Sequence, residues 1–199
     1  MNRPLFIAFE GGEASGKSTQ AARLAARMGA VLTREPGGTA VGEQVRSILL
    51  DPATTDLDDR AEALLMAAAR AQHVAEVIRP ALDAGRSVVT DRYLASSVAY
   101  QGYGRGLDTD EVVRLSVWAT GGLHPDLTVL LEVDAAVARA RLGVLDRFEA
   151  AGEAFHRRVG AGFRAQAAAD PDRWAVIDGS GAPDEVEELV RAAMDERLA

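Results

Sequence analysis

The chain has 199 residues, of which 48% are apolar and 26% charged, with a net charge of −8 at pH 7 and no cysteine. This size and composition are typical of one globular domain, and they exclude disulfides, thiolate metal sites and thiol nucleophiles. The acidic balance argues against a nucleic-acid polymer as partner, and no apolar run is long enough to predict a membrane span. Residues 1–10 lack a basic flank and a small-residue cleavage site, so we expect no signal peptide and a cytoplasmic protein.

Strand-like and helix-like segments alternate along the chain. Apolar runs bounded by turn residues predict strands, and apolar residues at helical spacing predict helices. The predicted strands are residues 5–9, 30–33, 87–91, 126–133 and 174–177. The predicted helices are residues 17–28, 41–50, 58–78, 109–118, 135–142 and 184–198. This alternation predicts βαβ units, and therefore a single α/β domain over residues 1–199 with a mostly parallel sheet.

Three local features refine this prediction. Pro80 predicts that the third helix stops or kinks close to Ile78. Trp118 lies in a helix pattern and Trp174 in a strand pattern, so both are expected in the core. A polar stretch rich in Gly and Ala follows residue 142, and no element is predicted there.

A glycine-rich motif follows the first predicted strand and precedes the first helix. Residues 11–18 fit G-x-x-x-x-G-K-[ST], which is the P-loop that binds nucleoside triphosphates. Lys17 can reach the β- and γ-phosphates, and the Ser18 hydroxyl can bind Mg²⁺. The residues predicted to hold ATP are Gly11, Gly12, Glu13, Ala14, Ser15, Gly16, Lys17, Ser18 and Thr19. The motif predicts ATP and Mg²⁺ but leaves the phosphoryl acceptor open.

Two further segments end predicted strands, at the edge of an open parallel sheet where ligands collect. Asp91 ends the third strand, so we expect it near the loop as a second Mg²⁺ ligand. Arg92 follows it and can bridge donor and acceptor phosphates, where negative charge must be brought together. Arg34 ends the second strand and is fixed by Pro36 and two glycines, which suits a phosphate clamp.

Four runs in this order, after the phosphate loop, resemble bacterial thymidylate kinase. They are residues 33–38 (TREPGG), 91–93 (DRY), 100–106 (YQGYGRG) and 146–149 (DRFE). The resemblance covers nearly the whole chain. It implies a P-loop kinase fold, with a five-stranded parallel sheet surrounded by helices and a short mobile lid over ATP at about residues 139–152. It also implies dTMP as the acceptor and a homodimer.

The resemblance further implies roles for individual residues. Arg70 would contact thymine, Ser97 and Gln101 would line the base, and Tyr100 would lie beneath the deoxyribose. Glu13 would lie near the sugar 3′-hydroxyl and the metal. The whole substrate-binding set that it implies is Glu13, Arg34, Pro36, Met66, Arg70, Arg92, Ser97, Tyr100 and Gln101.

The chain departs from the family pattern at two positions, and it resembles the members in which the lid supplies the catalytic arginine. Met66 stands where the family commonly has a Phe that stacks on thymine. Ala14 replaces a usual loop glycine, so we expect a negative φ there. Residues 12–15 contain no arginine, which resembles members whose lid supplies it. Arg147 is the predicted catalytic lid residue, together with Lys17, Asp91 and Arg92, and Arg141 is predicted to bind ATP.

Two alternatives to ATP-dependent phosphorylation of dTMP remain at this point. One is a kinase for another small acceptor, such as a deoxynucleoside, although a phosphate-clamping Arg34 argues against an unphosphorylated acceptor. The other is a nucleotide-dependent switch, which would hydrolyse ATP slowly and have no acceptor. The sequence favours the dTMP enzyme through the residue runs of the resemblance.

Overall fold

The computed structural model describes residues 3–141 and 146–198, which form one α/β domain around a single parallel sheet. The strands are β1 (Phe6–Glu10), β2 (Val31–Arg34), β3 (Val88–Asp91), β4 (Leu127–Glu132) and β5 (Trp174–Asp178). Their order in the sheet is β2-β3-β1-β4-β5, and all pairs are parallel. The five-stranded parallel sheet predicted from the sequence is therefore confirmed.

Helices cover both faces of this sheet. They are α1 (Lys17–Met28), α2 (Ala40–Leu50), α3 (Asp59–His73), α4 (Arg79–Asp83), α5 (Leu94–Ser97), α6 (Thr109–Thr120), α7 (Ala135–Arg141), α8 (Glu153–Ala169) and α9 (Pro183–Leu198). Two π-helical segments, Val74–Ile78 and Val98–Gly104, extend α3 and α5, and a 3₁₀ turn spans Glu149–Ala151. None of the helices in the described residues combines the length and the apolar character that a bilayer span requires.

Of the two outcomes predicted for Pro80, a stop or a kink near Ile78, the stop does not occur. The π-helical segment Val74–Ile78 joins α3 to α4, so the helical path continues to Asp83. Proline lacks the N–H that an α-helix interior needs, and its ring crowds the preceding turn. The wider π turn just before Pro80 relieves this conflict, because it shifts the hydrogen-bonding pattern there.

Two helical segments were absent from the sequence prediction. The first is α5 with its π-helical extension, and the second is α8, in the stretch expected to be irregular. Phe155, Val159 and Phe163 are buried at four-residue spacing along α8, which is a helical signal. Gly160 and Gly162 weakened that signal, since glycine is a poor helix former.

The two tryptophans have different environments. Trp174 is 9% exposed at the start of β5 and belongs to the core, as predicted. Trp118 is 81% exposed, so its predicted core position is wrong. The buried residues of α6 include Ser116 and Thr120, and Trp118 lies midway between them in sequence. Two residues are about 200° of rotation along a helix, which turns Trp118 away from the core.

A buried carboxylate links the central strand to the start of α5. Glu10 ends β1 and is 0% exposed. Its Oε1 accepts hydrogen bonds from the backbone N–H groups of Tyr93 (2.9 Å) and Ser96 (3.1 Å), and Oε2 accepts one from Ser96 Oγ (2.6 Å). Burial raises the pKa of Glu10 to about 7, although the Ser96 hydrogen bond and the charge of Arg92 act in the opposite direction. Glu10 thus supplies acceptors for the donors at a helix start.

Two glycines of α8 form a matched pair for a packing test. A Cβ at Gly162 would lie 2.8 Å from ring atoms of Tyr103, whereas one at Gly160 would meet only the Arg164 guanidinium at 3.7 Å. We expect Gly160→Ala to raise the free energy of unfolding by about 0.5–1 kcal/mol, because alanine is the better helix former. Gly162→Ala should lower it by about 1–3 kcal/mol through overpacking. Urea unfolding measures both, and equal effects would contradict this packing.

The raised pKa of Glu10 predicts a pH-dependent stability. Below about pH 4.5 the carboxyl is protonated in both states, and between pH 4.5 and 7 only the folded state holds the proton. Its contribution to the free energy of unfolding is therefore present at low pH and lost as the pH rises through 7. We expect wild type to lose about 2–3 kcal/mol relative to Glu10→Gln between pH 5 and pH 8. Parallel stability profiles for the two proteins would contradict this assignment.

Candidate active site

The carboxyl ends of three neighbouring strands bring the predicted site residues together. In the parallel register, Phe9 of β1 pairs with Asp91 of β3, and Arg34 of β2 pairs with the same Asp91. The loops that follow these strands begin at one edge of the sheet. This edge is where ligands bind in open α/β folds.

The phosphate loop curls around the side chain of its own lysine. Lys17 Nζ donates hydrogen bonds to the Gly12 carbonyl (2.5 Å) and to Ser15 Oγ (3.2 Å). Gly16 precedes α1 with φ 92°, so the loop enters the helix through a left-handed turn. At Gly11 a Cβ would lie 2.4 Å from the Leu131 carbonyl oxygen. Backbone contact with β4 therefore requires a glycine at that position.

Ala14 does not have the negative φ that the sequence predicted. Its φ is 55°, in the left-handed region. The loop has to reverse between Gly12 and Ser15 for the Lys17 ammonium to lie inside it, and Ala14 is at that reversal. A left-handed alanine costs about 1–2 kcal/mol. Strain of this kind persists at ligand-binding loops because the surrounding structure holds it.

The Lys17 side chain is 6% exposed. Burial, and then the positive charge of Arg92, lower its pKa to about 8, while the carboxylates of Glu13, Asp91 and Glu10 partly oppose this. The ammonium is therefore poorly solvated. A group of this kind is poised to bind phosphate oxygens, since these would replace the missing solvation.

Ser18 and Asp91 form the pair that the sequence assigned to Mg²⁺. Ser18 Oγ donates a 2.5 Å hydrogen bond to Asp91 Oδ2. Asp91 Oδ1 is buried and has no hydrogen-bond partner among the described residues. Mg²⁺ prefers hard oxygen ligands and keeps several waters. A hydroxyl, a carboxylate and an orphaned carboxylate oxygen side by side fit that preference. Thr19, the next predicted ATP residue, lies exposed on α1.

A cluster of Arg92, Glu13 and Tyr100 connects the phosphate loop to the neighbouring cavity. Arg92 Nη2 donates to Glu13 Oε1 (2.7 Å) and to Tyr100 Oη (3.1 Å), and Nη1 donates to the Gly11 carbonyl (3.0 Å). Tyr100 Oη donates to Glu13 Oε1 at 2.6 Å. Arg92 itself has φ 71°, which is uncommon for a side chain of this size.

The charges within this cluster reinforce one another. Burial would raise the pKa of Glu13, but the charges of Arg92 and Lys17 and the Tyr100 hydrogen bond bring it down to about 2. Burial would lower the pKa of Arg92, but Glu13, Tyr100 and Asp91 hold it above its ordinary value. Both groups are therefore charged across the physiological range.

A cavity adjoins this cluster. The substrate-binding residues predicted from the sequence that line it are Glu13, Pro36, Met66, Arg70, Arg92, Ser97, Tyr100 and Gln101. Arg34 is not among the lining residues, because its guanidinium pairs with Glu43 at 2.9 Å on the protein surface. Its predicted contact with an acceptor phosphate stays a prediction.

Arg70 is 2% exposed and is held from several sides. Its Nε donates to Glu35 Oε2 (2.7 Å), and its Nη2 donates to Ser97 Oγ (3.0 Å) and to the Tyr93 carbonyl (3.3 Å). The other oxygen of Glu35 is 2.9 Å from Nδ1 of the buried His73. The guanidinium therefore has one fixed orientation beside the cavity.

A second buried carboxylate, Glu62, gathers side chains next to the cavity. Glu62 is 0% exposed, and Gln101 Nε2 donates to its Oε1 at 2.8 Å. Arg105 Nη2 (3.0 Å) and Arg147 Nη2 (2.6 Å) donate to its Oε2. Arg147 also donates to the Leu49 carbonyl through Nε. These contacts hold Arg147 on the acceptor side, and none of its hydrogen bonds in the described residues reaches the phosphate loop.

The predicted lid is described in part. Residues 142–145, within the predicted lid range of 139–152, lie outside the described residues. They include Leu142, the last residue of the helix predicted over residues 135–142. Arg141 ends α7 and donates to the backbone carbonyls of Ala14 (3.4 Å), Gly179 (3.1 Å) and Ser180 (3.2 Å). Of the two arginines assigned to the lid, Arg141 is therefore the one in contact with the phosphate loop.

The cavity also contains residues that the sequence did not suggest. Arg46 lines it and donates to the Pro36 carbonyl at 2.9 Å, and burial and the nearby Arg34 lower its pKa. Asp146 and Phe148 line it as well. Arg46 had a detectable signal, because it lies on the helix that follows the Thr33–Gly38 loop. A residue two turns into such a helix can reach back over the loop.

Comparison with known proteins agrees with this geometry. A family model described as thymidylate kinase matches residues 9–190. The thymidylate kinase of Solidesulfovibrio magneticus is 53% identical over 94% of this chain and 96% of its own length. That of Leifsonia xyli subsp. xyli is 52% identical over 99% of this chain and 98% of its own. The crystal structure of thymidylate kinase from Ehrlichia chaffeensis matches with a TM-score of 0.82 and 32% identity, covering 97% of this chain and 100% of that one. The chain belongs to the thymidylate kinase family.

Proposed function

We propose that the protein transfers the γ-phosphoryl group of ATP to dTMP, giving ADP and dTDP, a step in dTTP biosynthesis. The observation that carries this function is the position of Arg92. Its guanidinium contacts the Gly11 carbonyl of the phosphate loop and also Tyr100 of the adjoining cavity. A cation shared by a triphosphate loop and an acceptor cavity suits phosphoryl transfer between two phosphorylated ligands.

On the donor side, the loop amides and Lys17 would bind the β- and γ-phosphates of ATP. Lys17 would offset the negative charge that develops during transfer. Because its ammonium is buried and poorly solvated, phosphate oxygens would stabilise it. Ser18 and Asp91 would hold Mg²⁺, which supplies further positive charge to the triphosphate when bound. Arg141 contacts the loop from the lid side and would bind ATP there.

On the acceptor side, the cavity offers groups that suit thymidine monophosphate. Arg70 presents only donors, which suits a base carbonyl. The Tyr100 ring packs edge-to-face with Phe148, Phe155 and Phe163, which fixes its orientation where it lines the cavity, and it would lie beneath the sugar. Arg92 would bind the acceptor phosphate, and Glu13 would lie near the sugar hydroxyl. Arg34 and Arg46 are further candidates for phosphate contact.

The two alternatives are weaker on this geometry. A deoxynucleoside kinase would leave the buried cation of Arg92 without an anionic acceptor. A nucleotide switch would not need the cavity, which contains fixed donors and acceptors such as Arg70 and Gln101. Neither alternative explains why the phosphate loop and the cavity share one guanidinium.

The homodimer and the cytoplasmic location are also proposals. Large apolar side chains are exposed on the three adjoining helices α2, α3 and α6, namely Val41, Ile48, Leu64, Val113 and Trp118. Exposed apolar surface of this kind marks protein–protein interfaces, and it supports a homodimer through these helices. A cytoplasmic location is proposed because ATP and deoxynucleotides are produced there.

The activity is tested by measuring ADP formation with and without dTMP. We expect ADP to form rapidly only when ATP, Mg²⁺ and dTMP are all present, and thymidine not to replace dTMP. Lys17→Ala should lower turnover by at least about 10²-fold, because a preorganised cation is removed from the transferring phosphates. Its melting temperature should stay close to that of wild type. ADP formation independent of dTMP would indicate a switch, and activity with thymidine would indicate a nucleoside kinase.

The homodimer is tested with a matched pair of exposed apolar residues. Trp118 lies on α6 and is 81% exposed, while Leu189 lies on α9 and is 49% exposed. We expect Trp118→Glu to weaken self-association by at least about 30-fold, because interface tryptophans contribute about 2 kcal/mol or more. Leu189→Glu should leave the assembly unchanged. Sedimentation equilibrium gives both dissociation constants, and a dimer unaffected by Trp118→Glu would remove this face from the interface.

A further inference from the structure

The Gln101–Glu62 contact has a chemical consequence for the cavity. A glutamine side chain can present either its oxygen or its NH₂ group to a ligand, and the two choices differ by a rotation of the amide. Glu62 is fully buried, and both of its oxygens accept hydrogen bonds from arginines: Oε1 from Arg105 Nε (3.3 Å), and Oε2 from Arg105 Nη2 (3.0 Å) and Arg147 Nη2 (2.6 Å). A guanidinium can only donate, so both carboxylate oxygens act as acceptors here. The group of Gln101 that faces Glu62 must therefore be its NH₂.

This contact determines which group Gln101 shows to the cavity. Nε2 is directed at Glu62 at 2.8 Å, and Gln101 lines the cavity. No hydrogen bond to Gln101 Oε1 occurs within residues 3–141 and 146–198. The amide oxygen is thus the group left for a ligand, and it can only accept. Gln101 consequently selects a ligand that offers a donor at that point.

Arg70 lines the same cavity and has the complementary fixed polarity. Arg70 carries only donors and is held by Glu35, so it selects a ligand carbonyl. A pyrimidine with a carbonyl at position 4 and an N–H at position 3 satisfies both Arg70 and Gln101, as thymine does. A cytosine base has an amino group at position 4 and a bare nitrogen at position 3. It would place donor against donor and acceptor against acceptor.

We propose that Glu62 is a positioning residue that sets base specificity, by fixing the Gln101 amide with its oxygen toward the base. This inference rests on the proposed function, since it assigns thymine to the cavity. Glu62 does not touch the base. It acts through Gln101, and Arg105 and Arg147 hold its carboxylate in place through hydrogen bonds.

Replacing Glu62 by glutamine should reverse the Gln101 amide. Arg147 Nη2 (2.6 Å) and Arg105 Nη2 (3.0 Å) donate to Oε2 of Glu62, and only the longer bond from Arg105 Nε (3.3 Å) reaches Oε1, so the two shorter bonds would retain the oxygen of a glutamine at the Oε2 position. Its NH₂ would then face Gln101 and require the Gln101 oxygen as acceptor. The NH₂ group of Gln101 would turn toward the cavity, where it suits the bare N3 of a cytosine base.

The test compares dTMP with 5-methyl-dCMP, which has the same shape and differs only at positions 3 and 4. We expect wild type to prefer dTMP strongly in kcat/KM, because mismatched buried polar groups are costly. In Glu62→Gln this preference should shrink at least tenfold, and kcat/KM for dTMP should fall. The KM for ATP should change less than twofold, which a general structural defect would not allow.

Two further variants separate orientation from damage. The double substitution Glu62→Gln with Gln101→Glu exchanges the two side chains and keeps the charge. It restores an acceptor toward the base, so the preference should return to within about threefold of wild type. Arg105→Lys alters another partner of Glu62 but leaves the carboxylate as acceptor, so its preference should stay within twofold of wild type.

The outcomes separate this inference from the proposed function. A wild-type protein without dTMP-dependent ADP formation would overturn the proposed function. If the protein has that activity but its preference for dTMP over 5-methyl-dCMP is unchanged in Glu62→Gln, only the role of Glu62 is overturned. The same holds if the double variant is as unselective as Glu62→Gln alone. If Glu62→Gln does not fold, the exchanged pair and Glu62→Asp decide, because both keep an acceptor at the base. A loss of preference in either would overturn the inference.

Discussion

The site depends on where the Arg92 guanidinium is held. Arg92 follows β3 directly and adopts a left-handed backbone conformation, which costs about 1–2 kcal/mol for a residue with a side chain. Its own N–H donates to the Phe9 carbonyl at 2.8 Å, and the N–H of Tyr93 donates to Glu10 at 2.9 Å. Hydrogen bonds on both sides of the strained residue therefore impose the turn. The turn directs the side chain between the phosphate loop and the cavity, so the central strand determines both halves of the site.

Buried carboxylates orient the other side chains of the acceptor cavity. Glu10 holds the start of α5, Glu35 holds Arg70, and Glu62 holds Gln101. The ion pairs of Glu35 with Arg70, and of Glu62 with Arg105 and Arg147, add little net stability, because desolvation offsets the Coulombic attraction. Their value here is geometric, since a guanidinium donates only and the carboxylate oxygens facing it accept. Each buried pair thus fixes which polar groups remain available to a ligand.

The sequence predicted the sheet, the phosphate loop and most of the cavity because these depend on local signals. A buried strand before G-x-x-x-x-G-K-[ST] and strand-terminal residues such as Asp91 specify their own positions. Features that depend on tertiary contacts were missed. The φ of Ala14 reflects how the loop closes on Lys17, and the exposure of Trp118 reflects which face of α6 packs. Arg34 and Arg147 have charged partners, Glu43 and Glu62, that no spacing in the sequence identifies.

The contacts of the two lid arginines differ in how easily a ligand could replace them. Arg147 is paired with the fully buried Glu62 at 2.6 Å, and its departure would leave this carboxylate with only one of its two cations, which is costly for a buried charge. Arg141 is exposed and donates to three backbone carbonyls at 3.1–3.4 Å. Such neutral hydrogen bonds contribute only about 0.5–1.5 kcal/mol each. A phosphate oxygen offers Arg141 a stronger, charge-assisted partner, whereas Arg147 already has one. Of the two arginines, Arg141 is therefore better suited to move onto the triphosphate, and Arg147 to hold the base of the lid against the acceptor cavity.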